Sequence, residues 1–257
     1  MRSSSKPLRI VAVPGFGGAG ADYAPLVERI TDVDWELLTW PGCDGTPYVD
    51  HRLYHPDRLC TWLMSEVQPT DVVVGYSMGA RLVYECLSRG MKTRAVILVG
   101  AVPGIRSMEA RESRKGADHA LAISIQNMGA AEFAKQWSQH PLIRTQHRIE
   151  SPHLERQRAR RLRNDAKALS DALNFFGQGV VESKWASVRR RMVPALLITG
   201  HDDSKYTRLV GDFASEWPSA EHLILQGGHA VHLEAADEAA SAIQAYLKRV
   251  LSLPKTV

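Results

Sequence analysis

Asp71-Val72-Val73-Val74-Gly75-Tyr76-Ser77-Met78-Gly79-Ala80-Arg81 is the stretch on which the reading of this chain turns. An apolar β-branched run stops at a glycine, and a helix-forming segment, Ala80 to Arg89, follows at once. Strand, tight turn and helix with G-x-S-x-G at the turn form the context of a nucleophile elbow. The reason for the glycines is steric. The turn is so sharp that flanking side chains would collide, so Ser77 is expected at a strained backbone angle with its hydroxyl above the sheet edge. The plain alternative is a tight turn that happens to contain a serine.

Short β-branched runs recur on both sides of this stretch: Arg9–Val13, Trp35–Thr39, Ala95–Val99, Ala195–Thr199 and Glu221–Leu225. Several are continuously apolar, as strands buried on both faces should be. Helix-like segments separate most of them, for example Asp57–Glu66, Ala80–Arg89 and Asp237–Val250. The alternation predicts an α/β fold, a mostly parallel sheet flanked by helices, with ligands beyond the carboxyl ends of the strands. One long interval, Pro103 to Pro194, has no convincing strand. It reads as an inserted helical cap with helices over Met108–Ala120, Leu121–Met128, Ala130–Gln139, His153–Phe175 in one or two pieces, and Glu182–Arg191. The expected division is a body of residues 1–102 and 195–257 and a cap of residues 103–194, with loose ends at 1–6 and 252–257.

A nucleophilic serine needs a base, and the base needs an orienting acid. His229 follows Gly227-Gly228 directly after the last strand, whereas His232 falls near the start of the final helix, so His229 is the expected base. Asp202 and Asp203 both follow Gly200 at the end of the preceding strand, and either could be the acid. Backbone donors for an oxyanion are expected from the amides of Met78, after the serine, and Phe16, in the loop Pro14-Gly15-Phe16-Gly17-Gly18. That loop fits neither phosphate-binding glycine motif.

The composition is that of an ordinary globular chain: 257 residues, 44% hydrophobic, 23% charged, net charge +4. No apolar run approaches the roughly 20 residues of a membrane span, and the N-terminus does not read as a signal peptide. Cys43, Cys60 and Cys86 are too scattered for a disulfide framework, so a cytoplasmic location is expected. No Cys/His set has metal-ligand spacing, and no metal or other cofactor is expected.

Together these pieces resemble the α/β-hydrolase superfamily along the whole chain. Within it the chain is most similar to the menaquinone-pathway lyase family that makes 2-succinyl-6-hydroxy-2,4-cyclohexadiene-1-carboxylate (SHCHC synthase). The residues that carry this resemblance are Gly75–Arg81, with an arginine four positions after the serine, and Pro103-Gly104-Ile105 with Glu109, Arg111 and Arg114. Phe133–Trp137, Leu162-Arg163-Asn164, Gly200–Tyr206 in the form G-x-x-D-x-K-[FY], and Gly228–Glu234 complete them. Three features depart from the family pattern: Pro14-Gly15 replaces the common His-Gly, Ala236 replaces a proline, and the Trp40–Pro47 loop is atypical.

The resemblance implies that Asp203 is the acid of a Ser77–His229–Asp203 triad acting as a base in pyruvate elimination. It also implies substrate-binding roles for Tyr76, Arg81, Arg114, Trp137 and Arg163. A carboxylesterase or carbon–carbon bond hydrolase with Ser77 as acyl nucleophile is the alternative, because the triad suits both. A catalytically silent binding module is the third reading, and the apparently complete triad speaks against it.

The distribution of charge bears on the partner. Residues 103–194 hold 17 basic against 9 acidic residues, a balance of +8, which leaves −4 on the remainder. An arginine-rich cap over the site favours a small substrate with several carboxylates, which the planar guanidinium grips bidentately. Arg156, Arg158, Arg160 and Arg161 read as a solvated helix face, and Arg189-Arg190-Arg191 as a surface turn. Neither cluster has interleaved aromatics, so nucleic acid is not an expected partner. Whether the chain is a monomer or homo-oligomer is left open.

Overall fold

Six strands pair side by side, all parallel, in the order β2-β1-β3-β4-β5-β6. They are β1 (Leu8–Val13), β2 (Val33–Leu37), β3 (Val72–Tyr76), β4 (Ala95–Val99), β5 (Ala195–Gly200) and β6 (Ala220–Leu225). This computed structural model describes residues 7–252, so the expected loose ends at 1–6 and 253–257 lie outside the described residues, whereas Ser252 ends a helix. β3 lies inside the sheet, with Val73 opposite both Val11 and Val96. Every residue of β3 and β4 is buried, which is why both read as unbroken apolar runs. The outer strands β2 and β6 keep mixed exposure and read less clearly.

The helices are α1 (Ala24–Val27), α2 (Pro56–Glu66), α3 (Met78–Ser88), α4 (Met108–Met128), α5 (Ala130–Ser138), α6 (Ser151–Arg161), α7 (Ala166–Phe176), α8 (Ser204–Glu216), α9 (Val231–Glu234) and α10 (Ala236–Ser252). Alternate strand residues face opposite layers. Ile10, Ala12, Val72, Val74, Ile97 and Val99 join Leu26, Ile243 and Tyr246 beneath α1 and α10. Val11, Val13, Val73, Val96 and Leu98 join residues of α2, α3 and α8 on the other side. Leu169 and Phe176 of α7 belong to that same cluster, so the segment between β4 and β5 packs into the sheet's own core.

That segment contains no strand among the described residues; it holds α4 to α7 and two 3₁₀ turns. The expected pair Met108–Ala120 and Leu121–Met128 is instead a single helix, α4, because nothing at Ala120-Leu121 breaks it. It ends at Gly129, whose φ of 79° lies in the left-handed region. The expected His153–Phe175 stretch divides into α6 and α7, and Asp165 begins the second by accepting the Ala168 amide at 2.9 Å. Such a cap stabilises a helix by about 1 kcal/mol. The Glu182–Arg191 stretch yields only a 3₁₀ turn, Trp185–Arg190; Trp185 is buried there and donates to the Gly104 carbonyl at 2.9 Å.

Candidate active site

Ser77 stands between β3 and α3 with φ 50° and ψ −108°, one of two non-glycine residues at positive φ among those described. A Cβ on Gly79 would fall 2.3 Å from the Val13 carbonyl oxygen, so only glycine lets α3 begin this close to β1. The strain is held in place by the Ser77 amide, which donates to the Val99 carbonyl at 2.8 Å.

The three strand ends converge. Ser77 Oγ lies 3.0 Å from His229 Nε2, and His229 Nδ1 lies 2.6 Å from Asp203 Oδ2. Both His229 and Asp203 are buried. The alternatives separate cleanly. Asp202 is exposed and pairs with Arg148. His232 is buried between the rings of Tyr23 and Tyr76, and burial pushes its pKa down to about 3. It is a neutral core histidine and lies on no described hydrogen-bond path to Ser77.

The loop carrying the base is clamped by one carboxylate. Glu234 accepts the amides of Gly228 at 2.6 Å and Ala230 at 3.2 Å, the two neighbours of His229. Its Oε1 also accepts the Thr145 hydroxyl at 2.9 Å, which ties the segment after α5 to the base loop. This bridge is not legible in sequence, because its partners are 89 residues apart.

Met78 is the first residue of α3, so its amide belongs to the helix-terminal donors without intrahelical acceptors. Phe16 lines the same cavity from the turn after β1. In that turn Trp40 Nε1 donates to the Pro14 carbonyl at 2.9 Å, so Pro14-Gly15 is anchored without the usual histidine.

The cavity above Ser77 is small, about 80 Å³. Tyr76, Arg81, Arg114 and Trp137 line it, together with His229 and the oxyanion candidates. Trp137 stacks on Phe133 and meets Phe16 edge-on, at 5.4 and 5.9 Å between ring centres. The Tyr76 hydroxyl receives a long contact from Gln146 Nε2 at 3.5 Å, and burial holds it well above the usual phenol range.

Arg163 is not part of this wall. It lies in the turn after α6, its side chain is exposed, and it pairs with Asp44. The arginine that α6 turns inward is Arg161, which donates to Gln146 Oε1 at 2.9 Å. The expected solvated face of α6 is therefore only partly solvated: Arg160 also turns in, onto buried Asp22 at 2.7 Å. The spacing that marks the inner stripe is His153, Gln157 and Arg161 at i, i+4, i+8. All three are polar, so hydrophobic periodicity cannot show it. Gln146, Gln178 and Tyr206 also line the cavity without having been singled out as ligands.

The electrostatics of the wall are one-sided. Arg114 has a counter-charge in Asp118 at 2.8 Å and also donates to Gln178 at 2.9 Å. Arg81 donates to the Phe176 carbonyl at 3.0 Å, and burial lowers its pKa to about 10. Burial likewise lowers that of Arg161, whose Nε has no hydrogen-bond partner. Two desolvated guanidiniums without a carboxylate thus share the cavity with the serine, an arrangement chemically suited to pairing with an anion. No group of metal-ligating side chains occurs among the described residues, and none of their helices is long and apolar enough to cross a membrane.

Residues 10–242 match the alpha/beta hydrolase family. A Bacillus subtilis (strain 168) protein provisionally named 2-succinyl-6-hydroxy-2,4-cyclohexadiene-1-carboxylate synthase is 32% identical over 88% of this chain and 85% of its own length. The synthase of that name from Klebsiella pneumoniae subsp. pneumoniae is 27% identical over 87% of each chain. Among solved structures, MenH from S. aureus superposes with a TM-score of 0.89 at 23% identity, covering 97% of both chains. The enol-lactonase from Burkholderia xenovorans LB400 follows the same fold at a TM-score of 0.78 and 17% identity, covering 96% of this chain and 94% of its own.

Proposed function

We infer the activity of a chain that belongs to the alpha/beta hydrolase family, and within it to the 2-succinyl-6-hydroxy-2,4-cyclohexadiene-1-carboxylate synthase family, from the charge around its serine. It is a lyase of menaquinone biosynthesis. The reaction is elimination of pyruvate from 2-succinyl-5-enolpyruvyl-6-hydroxy-3-cyclohexene-1-carboxylate. The observation that carries this reading is the convergence of Arg81, Arg114 and Arg161 on the cavity that holds Ser77. A neutral ester would leave Arg81 and Arg161 desolvated without a carboxylate, whereas a substrate with three carboxylates supplies partners for both and a further one beside the Arg114–Asp118 pair.

Ser77 Oγ is the group that takes the ring proton, and it can do so because His229 accepts its own proton through the 3.0 Å contact. Asp203, 2.6 Å from Nδ1, fixes the tautomer and supports the imidazolium. The electron pair of the broken C–H bond moves through the ring and expels the enolpyruvyl oxygen. The proton then held by His229 is available to the leaving group, which becomes pyruvate, so no redox partner is required. The amides of Met78 and Phe16 stabilise the enolate-like charge on the succinyl ketone. Tyr76 and Trp137 form the walls beside the reacting ring, and the helices between β4 and β5 serve as the cap that closes over it.

The test is to offer the enolpyruvyl intermediate and follow pyruvate, with p-nitrophenyl esters in parallel. Rapid pyruvate release with sluggish ester turnover is expected, and Ser77→Ala should lower pyruvate turnover on the order of a thousandfold or more. Fast ester hydrolysis with little pyruvate would make the protein an acyl-transferring serine hydrolase instead.

A further inference from the structure

Outside the Ser77 cavity lies a second and much larger one, about 890 Å³. It is walled by α5, the segment from Pro141 to Arg148, and α6. Ile143, Gln146 and Arg161 face both cavities, so a single layer of side chains separates them. Ser77 and His229 do not reach the outer one, so no proton transfer takes place there.

The lining of the outer cavity has two parts. Ala134, Ile143, Leu154 and Leu162 give it apolar surface. Cations crowd the rest, and their pairing is uneven. Lys135 has Glu132 and Arg148 has Asp202, but Arg144, Arg158 and Arg161 have no carboxylate partner among the described residues. Arg29, Arg89 and Arg160, by contrast, each pair with one or two carboxylates. Three uncompensated guanidiniums around one concavity focus positive potential into it. Its volume falls within the roughly 300–1,000 Å³ typical of small-molecule sites. No Phe, Tyr or Trp lines it, so there is no stacking platform of the kind that single-stranded nucleic acid uses.

We propose that this outer cavity is a second binding site, for a ring-bearing polycarboxylate, and that it stages the substrate before entry past the Gln146–Arg161 partition. The identity of the occupant rests on the lyase reading; the chemistry of the site does not. The inner cavity, about 80 Å³, is too small for a substituted cyclohexene with three carboxylates as it stands. On this proposal the molecule is first held in the roomier outer cavity, and the hydrogen bond from Arg161 to Gln146 is what it displaces on entry. Arg161 faces both sides of that bond and can hand one carboxylate across it.

The site is tested with propane-1,2,3-tricarboxylate as the probe, titrated calorimetrically into the full chain. Saturable binding is expected, weakened roughly tenfold or more in Arg144→Gln/Arg158→Gln and little changed in Arg163→Gln, which lines neither cavity, each lost charge-assisted contact counting for about that much; Arg81→Gln reports on the inner cavity. Equal affinity in wild type and the double variant, or a loss confined to Arg81→Gln, overturns the proposal. With the enolpyruvyl substrate, kcat/KM of the wild type should fall with added salt. The double variant should show a flatter salt dependence and a several-fold lower kcat/KM, with kcat little changed, because steering acts on encounter and not on chemistry. A parallel drop in kcat and kcat/KM with unaltered salt dependence would count against staging. Absence of pyruvate release from the wild type would refute the lyase reading alone, since the calorimetric result decides the site independently.

Discussion

Arg161 closes α6 and Arg163 follows it in the turn, yet their side chains leave the backbone in different directions. The first reaches the wall of the Ser77 cavity and the second reaches Asp44 at the surface. A two-residue difference in a helix-to-turn transition thus decides which guanidinium lines the Ser77 cavity. Arg161→Gln should raise KM and cut kcat/KM roughly ten- to a hundredfold, the scale of one desolvated charge-assisted contact. Arg163→Gln should stay within about twofold, because an exposed pair contributes at most about 1 kcal/mol. Steady-state pyruvate assays on the two variants check both. Linear sequence carries no record of this choice. Motif resemblance points to the neighbourhood of residue 163, and only the helix's end angle resolves it. That Ser77, His229, Met78 and Phe16 come together at one cavity is legible for the opposite reason: each follows a strand marked by glycine, a local feature. Asp203 was legible only by family pattern, since Asp202 meets the same local criterion and is excluded by its exposure.

At the level of elements, the loop after β6 and the segment before α6 act as one unit because Glu234 binds both. The carboxylate holds the amides on either side of His229 and the hydroxyl of Thr145. Glu234 is a positioning residue, which acts on catalysis through the base. Glu234→Gln keeps the shape but can no longer accept at both oxygens, so kcat should fall on the order of tenfold with KM little changed. The pH–rate profile should shift, because the imidazole is less firmly placed. Thr145→Val should leave the base loop clamped and alter KM more than kcat. Equal loss of both parameters in both variants would mean that the network is only structural. Strand placement from sequence was good to within about two residues, because buried parallel strands are unbroken apolar runs. The helices between β4 and β5 were harder. Their boundaries depend on caps such as Asp165 and on packing between α4 and α7, and both are tertiary matters.

Across the whole molecule, the strand-free segment is joined to the rest by apolar contact and by a partly buried ion pair. Arg160 Nε and Nη2 both bind Asp22 Oδ1, and the second oxygen of Asp22 accepts the Ala19 amide at 3.1 Å. Removing Asp22 takes two charge-assisted bonds from the partly exposed Arg160 guanidinium, at a cost of about 1.5–3 kcal/mol. Asp22→Ala should lower stability by that amount, measured by urea unfolding, and still show a single transition. Two resolved transitions would mean that the segment folds as a separate unit. The charge distribution fits this joining: residues 103–194 carry +8 against −4 on the rest of the chain, and two of their arginines are turned inward by α6.

The shared core has a consequence for how such an enzyme can diverge. Leu169 and Phe176 fill space against the same cluster as Val13 and Trp40. Exchange of everything between Pro103 and Pro194 for a foreign sequence would therefore unroof one face of the sheet. New substrate preference is reached more cheaply by changing the residues that project from this scaffold, Arg114, Trp137, Gln146 and Arg161, one at a time. The ceiling over the serine is thus also a wall of the core, and a change to one projecting side chain reshapes the pocket while leaving that wall in place.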